Sequence, residues 1–324
     1  MKLTATVLDS QIGHRLDQIL VSLFPHYSRS RIKRWIEQKL VRVNGTIIDK
    51  PKIKIRVKSQ VIINVINGTT TDYYSSQAQD IALNIIYEDN YLIIINKPKN
   101  LVVHPGAGNL NGTVLNALLY YYPSLGKIPR AGIVHRLDKD TTGLMIIAKT
   151  PLIYMKLLSL MKKRIVIRKY EAIVNGVMIS GGLISEAIIR HPTRRTLMAI
   201  DMTNQSGKKA ITHYRILARF RDHTHIGVQL ETGFTHQIRV HLASLNYPLV
   251  GDKKYKGRYR SVKIPLHASS QVKSELYKFD RQALHASLLQ FPHPKTGILM
   301  EFHATIPADM NNLISILKTD RSYL

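Results

Sequence analysis

The chain of 324 residues has no cysteine, which excludes disulfides, thiol nucleophiles, iron–sulfur clusters and cysteine-ligated zinc. Long apolar runs are missing too. Stretches such as Leu92-Ile93-Ile94-Ile95 fall far short of the ~20 residues that cross a bilayer as a helix. Met1-Lys2-Leu3-Thr4 leads into no apolar block of signal-peptide length, so the expectation is a folded cytoplasmic protein. None of G-x-S-x-G, H-E-x-x-H, G-x-x-x-x-G-K-[ST] or G-x-G-x-x-G occurs; Gly106-Ala107-Gly108 lacks its third glycine and reads as a turn. Acidic residues are scarce, 21 against 47 Lys+Arg, which leaves a net charge of +26.

What is present is a core and an excess of cations. Hydrophobic residues make up 44% of the chain, enough to pack a globular protein and too many for a disordered polycation. So much positive charge fits a polyanion, because each Lys or Arg on a phosphate releases condensed counterions. An acidic membrane surface is the rival, but it calls for a basic amphipathic helix with a continuous apolar face. Charge that merely serves solubility stays open at this level.

Residues 13–66 read as one small module. Ile12, Leu16, Ile19, Leu20 and Leu23 recur at helical spacing up to Pro25. A second helix, capped by Ser28 or Ser30, carries Ile32, Trp35, Ile36 and Leu40 on one face and Arg29, Arg31, Lys33, Arg34 and Lys39 on the other. Trp35 shares the apolar stripe and is expected in the core. Val41-Arg42-Val43 meets Asn44-Gly45, a two-residue hairpin signal, and alternation resumes at Ile53, Ile55, Val57 and at Val61, Ile63, Val65. Residues 67–80 are polar and aperiodic, a linker. From 81 to 324 strands dominate, at 91–96, 131–137, 144–148, 170–174, 213–218 and 226–230. Helices are expected at 114–122, with Thr113 as N-cap, at 154–163 and at 236–244. Strand follows strand more often than helix, so the fold class is α+β with a mixed or antiparallel sheet.

Fourteen histidines raise the question of a metal. His223 and His225, or His236 and His241, have no acidic ligand at metal spacing, and no metal is expected. Residues 131–144 (AGIVHRLDKDTTGL) differ from the rest: an apolar segment enters a charged turn and another leaves it. Asp138 or Asp140 in such a turn binds nearby backbone N–H groups, or else Asp138, held ionised beside Arg136, Lys139 and Lys149, serves as a nucleophile towards a sugar carbon.

HRLDKDTTGL resembles the signature of the RluA/RluD family of RNA pseudouridine synthases. Asn96-Lys97-Pro98 with 101–108 (LVVHPGAG), Lys169-Tyr170-Glu171-Ala172, residues 232–241 (TGFTHQIRVH) and Gln282-Ala283-Leu284-His285-Ala286 are similar to that family's other motifs, in order. His293-Pro294 and Thr296-Gly297 match its closing strands, and HPGAGNLNGTVLNALL is most similar to the D-type branch. The N-terminal module resembles an S4 domain. The likeness implies catalytic roles for Asp138 as nucleophile, Tyr170 against the uracil and Arg239 paired with Asp138. It implies substrate contacts for Arg136, which would fill the vacated base stack, for His135 and for Ile238 as a wall. Arg29, Arg31, Lys33 and Arg34 would hold RNA from the S4-like module. It further implies no cofactor, a monomer, and 23S ribosomal RNA or the large ribosomal subunit as partner, with uridines of the helix 69 stem-loop as targets. Two departures stand out: Phe234 replaces the arginine of the usual Gly-Arg-Thr-His-Gln, and Ser59-Gln60 replaces a common Gly-Asp. The competing reading is an RNA-binding module without chemistry.

Overall fold

The structure is a computed structural model and describes residues 2–24, 27, 29–64, 77–106, 108–203, 206–256, 264 and 268–321. The chain divides into two compact units, Met1–Asp72 and Tyr73–Leu324.

The first unit holds β1 (Lys2–Thr6), α1 (Leu16–Leu23), α2 (Arg29–Glu37), β2 (Val41–Val43), β3 (Thr46–Ile47) and β4 (Gln60–Asn64). Its sheet runs β1-β4-β2-β3, antiparallel throughout. The stripes Leu16, Ile19, Leu20 and Ile32, Trp35, Ile36 close over Val41, Val61 and Ile63. Trp35 is 2% exposed, edge-on to Tyr27 at 4.8 Å, and is core. Asn44 and Gly45 both have positive φ, which gives the tight turn between β2 and β3.

Three sequence expectations change here. β1 precedes residue 13 and pairs along all of β4, and Ile12 lies outside α1. Residues 53–57 form no strand, because their backbone groups go elsewhere: Ile53 O accepts from Leu16 N–H, and Ile55 binds His14 and Gly13. Lys39 lies past α2 in a left-handed turn, so it is not on the helix. The expectations for Pro25, Ser28, Val65 and residues 67–76 of the linker, and for the side chains of Ser30 and Arg31, fall outside what the structure describes.

The second unit is built on a ten-stranded mixed sheet. In chain order its strands are β5 (Ile85–Glu88), β6 (Leu92–Lys97), β7 (Thr142–Ala148), β8 (Ile167–Asn175), β9 (Gly182–Arg190), β10 (Met198–Ile200), β11 (Lys208–Arg219), β12 (His223–Leu230), β13 (Leu284–Pro292) and β14 (Leu299–His303). They lie in the order β10-β9-β11-β12-β8-β13-β7-β6-β5, with β14 beside β13. Among these pairs only β13 with β7 is parallel. The helices are α3 (Val114–Tyr121), α4 (Pro151–Lys162), α5 (Gln237–Ser244), α6 (Ser270–Lys278) and α7 (Ala308–Arg321). β6 and β7 are apolar on both faces and fill the main core with α3 and α4, whereas α6 and α7 close a second cluster on Ile173, Phe220 and Val250. The molecule is α+β.

Thr113 caps α3 by accepting from Asn116 N–H, while α4 starts at Pro151 with Thr150 as its cap, earlier than expected. Gln77 and Gln79, from the end of the expected linker, bond to Asn116 and Gly112, so they are stitched to the second unit. The expected strand at 131–137 is absent. Arg130, Ala131 and Gly132 all have positive φ, which turns the chain across β7. Only Ile133 then bridges to Ile147. An apolar run marks burial, and here burial comes without a ladder.

Candidate active site

The turn that follows this irregular segment is tied at each successive residue. Thr141 N–H donates to Asp138 O, and Lys97 Nζ at the end of β6 donates to Lys139 O at 2.9 Å. Arg281 donates to Asp140 O, Gln282 Nε2 donates to Thr141 Oγ1, and Thr142 Oγ1 bonds His285 Nδ1 at 2.8 Å. His135 Nε2 accepts Ile146 N–H at 2.9 Å, so its ring must be neutral there, and burial with the nearby Arg168 charge holds it near 3. The Asx-turn alternative for Asp138 does not apply: its carboxylate does not cap the turn, and the backbone carbonyl does.

That carboxylate opens on a cavity of about 880 Å³ lined by His135, Arg136, Asp138, Tyr170, Ile238 and Arg239 among others. Asp138 Oδ2 accepts from Arg239 Nη1 at 2.8 Å. Arg239 is 5% exposed, and its other edge is a two-pronged clamp on Asp252, with Nε–Oδ2 at 2.7 Å and Nη2–Oδ1 at 2.9 Å. Burial alone would lower the Arg239 pKa, but the two carboxylates outweigh it and raise it, so the cation is permanent. Asp252 Oδ1 also accepts the N–H groups of Lys254 and Tyr255. Gly251 supports this loop with φ +72°, and a Cβ there would meet Arg281 O at 2.0 Å.

The Tyr255 ring lies 5.0 Å from the Arg239 guanidinium, and its hydroxyl accepts Met198 N–H at 2.8 Å. That hydroxyl therefore donates its proton to His236 Nδ1 at 2.7 Å, which leaves the imidazole proton on Nε2, 3.9 Å from Asp138 Oδ1. Burial, only partly opposed by Asp138, lowers the His236 pKa to about 4, so the ring is neutral. His236 sits in the left-handed region at the head of α5. Gln237 folds the preceding loop by accepting Phe234 N–H and donating to Ile211 O and Thr212 Oγ1. Helix α5 thus sends Ile238 and Arg239 side by side into the cavity.

Tyr170 is buried on β8. Burial raises its pKa, Arg168 opposes and Asp138 adds, and it remains a phenol at neutral pH. Arg136 is exposed at the cavity wall. Phe234 lines the same wall, with Lys208 Nζ 6.0 Å from its ring. Asp138 takes its cation from Arg239, and Phe234 supplies none. On the first unit, Arg29 is bound to the buried Asp17 at 3.0 Å, Lys33 pairs with Glu37, and Arg34 is exposed.

Asp252, Tyr255 and His236 escaped the sequence reading as site residues. His236 stood inside a quoted motif, whereas Asp252 and Tyr255 carried no signal of their own. Among the described residues no group of three His, Asp or Glu side chains is placed to hold a metal, and no helix is long and apolar enough to cross a membrane.

The family pattern described as RNA pseudouridylate synthase matches residues 91–244, and the S4 domain pattern matches residues 14–61. The ribosomal large subunit pseudouridine synthase D of Escherichia coli (strain K12) is 54% identical over 320 residues, 99% of this chain and 95% of that protein. The proteins of the same name from Pasteurella multocida and Haemophilus ducreyi are each 52% identical, over 98% and 99% of this chain and 95% and 96% of theirs. The solved human RNA pseudouridylate synthase domain containing 4 is similar with TM-score 0.57 and 26% identity, over 72% of this chain and 93% of that one.

Proposed function

Because the chain belongs to the RNA pseudouridylate synthase family, with an S4 domain ahead of its catalytic domain, we propose that it isomerises uridines of large-subunit ribosomal RNA. The helix 69 stem-loop of 23S RNA is the proposed target. The observation that carries the reading is the carboxylate of Asp138, gripped on Oδ2 by a permanent cation and lining the cavity. Such a group is paired and aimed.

Isomerisation breaks the N1–C1′ bond, rotates the freed uracil and joins C5 to C1′, after which C5 loses its proton and N1 takes one up. No electron acceptor and no nucleotide cofactor enters this balance. Asp138 would attack or stabilise C1′ as N1 leaves. Arg239 keeps the attacking carboxylate oriented, and Ile238 and the neutral phenol of Tyr170 wall the uracil while it turns. His236, neutral with its proton on Nε2, lies 3.9 Å from Oδ1, close enough to reach that oxygen only after a small shift. The uridine must first leave its stack, at a few kcal/mol, with Arg136 placed to fill the gap. The basic S4 helix would hold neighbouring phosphates through Arg29, Lys33 and Arg34.

Asp138→Asn keeps the volume and removes the charge. It is expected to bind a ribosomal RNA transcript normally and to form no pseudouridine in a single-turnover assay. Turnover well above background would refute the role. Mapping pseudouridine in ribosomal RNA of a strain lacking the protein tests the target.

A further inference from the structure

Arg168 is 8% exposed and lines the cavity, yet among the described residues its guanidinium makes no hydrogen bond and no ion pair, and its Nε is buried without an acceptor. A buried cation without a counter-charge costs several kcal/mol, so its place needs a reason. The cavity wall offers it no anion. Its two carboxylates are Asp138 and Glu231. Asp138 is taken by Arg239, and Glu231 by Arg164 at 2.7 Å and His213 at 2.8 Å. The remaining charges on that wall are basic: Arg130, Arg136, Lys162 and Lys209.

Two features fix the guanidinium in place. Arg168 and Tyr170 are two residues apart on β8 and both buried, so they share the cavity face about 7 Å apart. Gly233 lies directly on the arginine, and a Cβ there would fall 2.5 Å from Arg168 Nη1. The loop that carries Phe234 thus leaves room for this cation while offering none of its own.

We infer that Arg168 binds a phosphate of the RNA backbone next to the target uridine. The inference rests on the proposed activity. With the sugar over Asp138 and the base against Tyr170, an adjoining phosphodiester is the anion that arrives with the substrate. A fork of N–H donors suits two phosphate oxygens. Arg168 is then a substrate-binding residue that registers the strand, so that one nucleotide and not its neighbour reaches the floor.

The test scans the loop of a ribosomal RNA stem-loop with single methylphosphonate linkages, which remove one charge each, and reads affinity for the full-length protein. At one linkage the wild type should lose affinity by about ten-fold or more, as expected for a charge-assisted contact. Arg168→Gln should lose a similar factor on unmodified RNA and be indifferent to that linkage while still sensitive to others. Arg168→Lys should keep part of the effect. Gly233→Ala keeps the charge but displaces it, and should also lose sensitivity at that linkage, which separates the contact from a folding defect. Overturning results are losses that add at every linkage, a wild type indifferent to all of them, or Arg168→Gln binding like the wild type. Because affinity is the readout, the result stands whether or not the RNA is isomerised. Pseudouridine formation by the wild type on unmodified RNA reports separately on the activity.

Discussion

Arg239 between Asp138 and Asp252 is the residue-scale centre of the site. The second carboxylate is fully enclosed; it ties its own loop through Lys254 and Tyr255 N–H and aims the first carboxylate through the arginine. Asp252→Asn is expected to lower the single-turnover rate at saturating enzyme by at least about ten-fold with RNA affinity nearly unchanged, since positioning and not binding is lost. Arg239→Ala should lose more, on the order of 3 kcal/mol, because it strands a buried carboxylate. An unchanged rate for Asp252→Asn would show that α5 alone orients the arginine. Arg239 was legible in sequence through the company of Gln237 and Ile238. Asp252, thirteen residues on, was not, because its position depends on a left-handed Gly251 pressed against Arg281, a contact with no local signature.

Between elements, the turn after residue 137 is held from β6 and from the start of β13. Lys97 is fully buried, and its ammonium donates to Pro98 O, Leu101 O and Lys139 O at 2.7, 3.0 and 2.9 Å. Burial pulls its pKa down to about 7 against Asp140 and Asp138, yet three acceptors call for all three ammonium protons. Lys97→Met leaves these carbonyls unpaired and is expected to cost at least about 2 kcal/mol in urea unfolding at pH 7, beyond any effect on turnover. A variant as stable as the wild type would mean the carbonyls find other donors. Helices α3 and α5 were readable because their periodicity is local, and strands β6 and β7 because their apolar runs are short and continuous. The segment 131–137 was misread for a physical reason: its apolar side chains are buried on β7, but Arg130, Ala131 and Gly132 take its backbone out of the ladder. β9 and β10 went unread because their burial patterns are weak.

For the whole molecule, charge and acidity set the behaviour. His104, His236 and His241 are held near 4 and His135 near 3, in each case chiefly by burial. Their folded values lie below the unfolded 6.5, so between about 6.5 and 4 the unfolded chain binds more protons. Stability is therefore expected to fall as pH drops through that window. Denaturant midpoints at pH 7 and pH 5 check this; equal midpoints would contradict it. Removing residues 1–66 should flatten the dependence of RNA affinity on salt, because Arg29, Lys33 and Arg34 leave with them; equal slopes would mean that unit touches no phosphate. The ties around Asp138 also carry a timetable. Thr142 bonds His285 across 143 residues, and Arg281 and Gln282 reach back to Asp140 and Thr141 across 141. During synthesis the S4 unit has its whole core by Asn64 and can close first, while Asp138 emerges long before the residues that hold it. A growing chain thus gains its grip on RNA early and its chemistry only once residues 281–285 have followed.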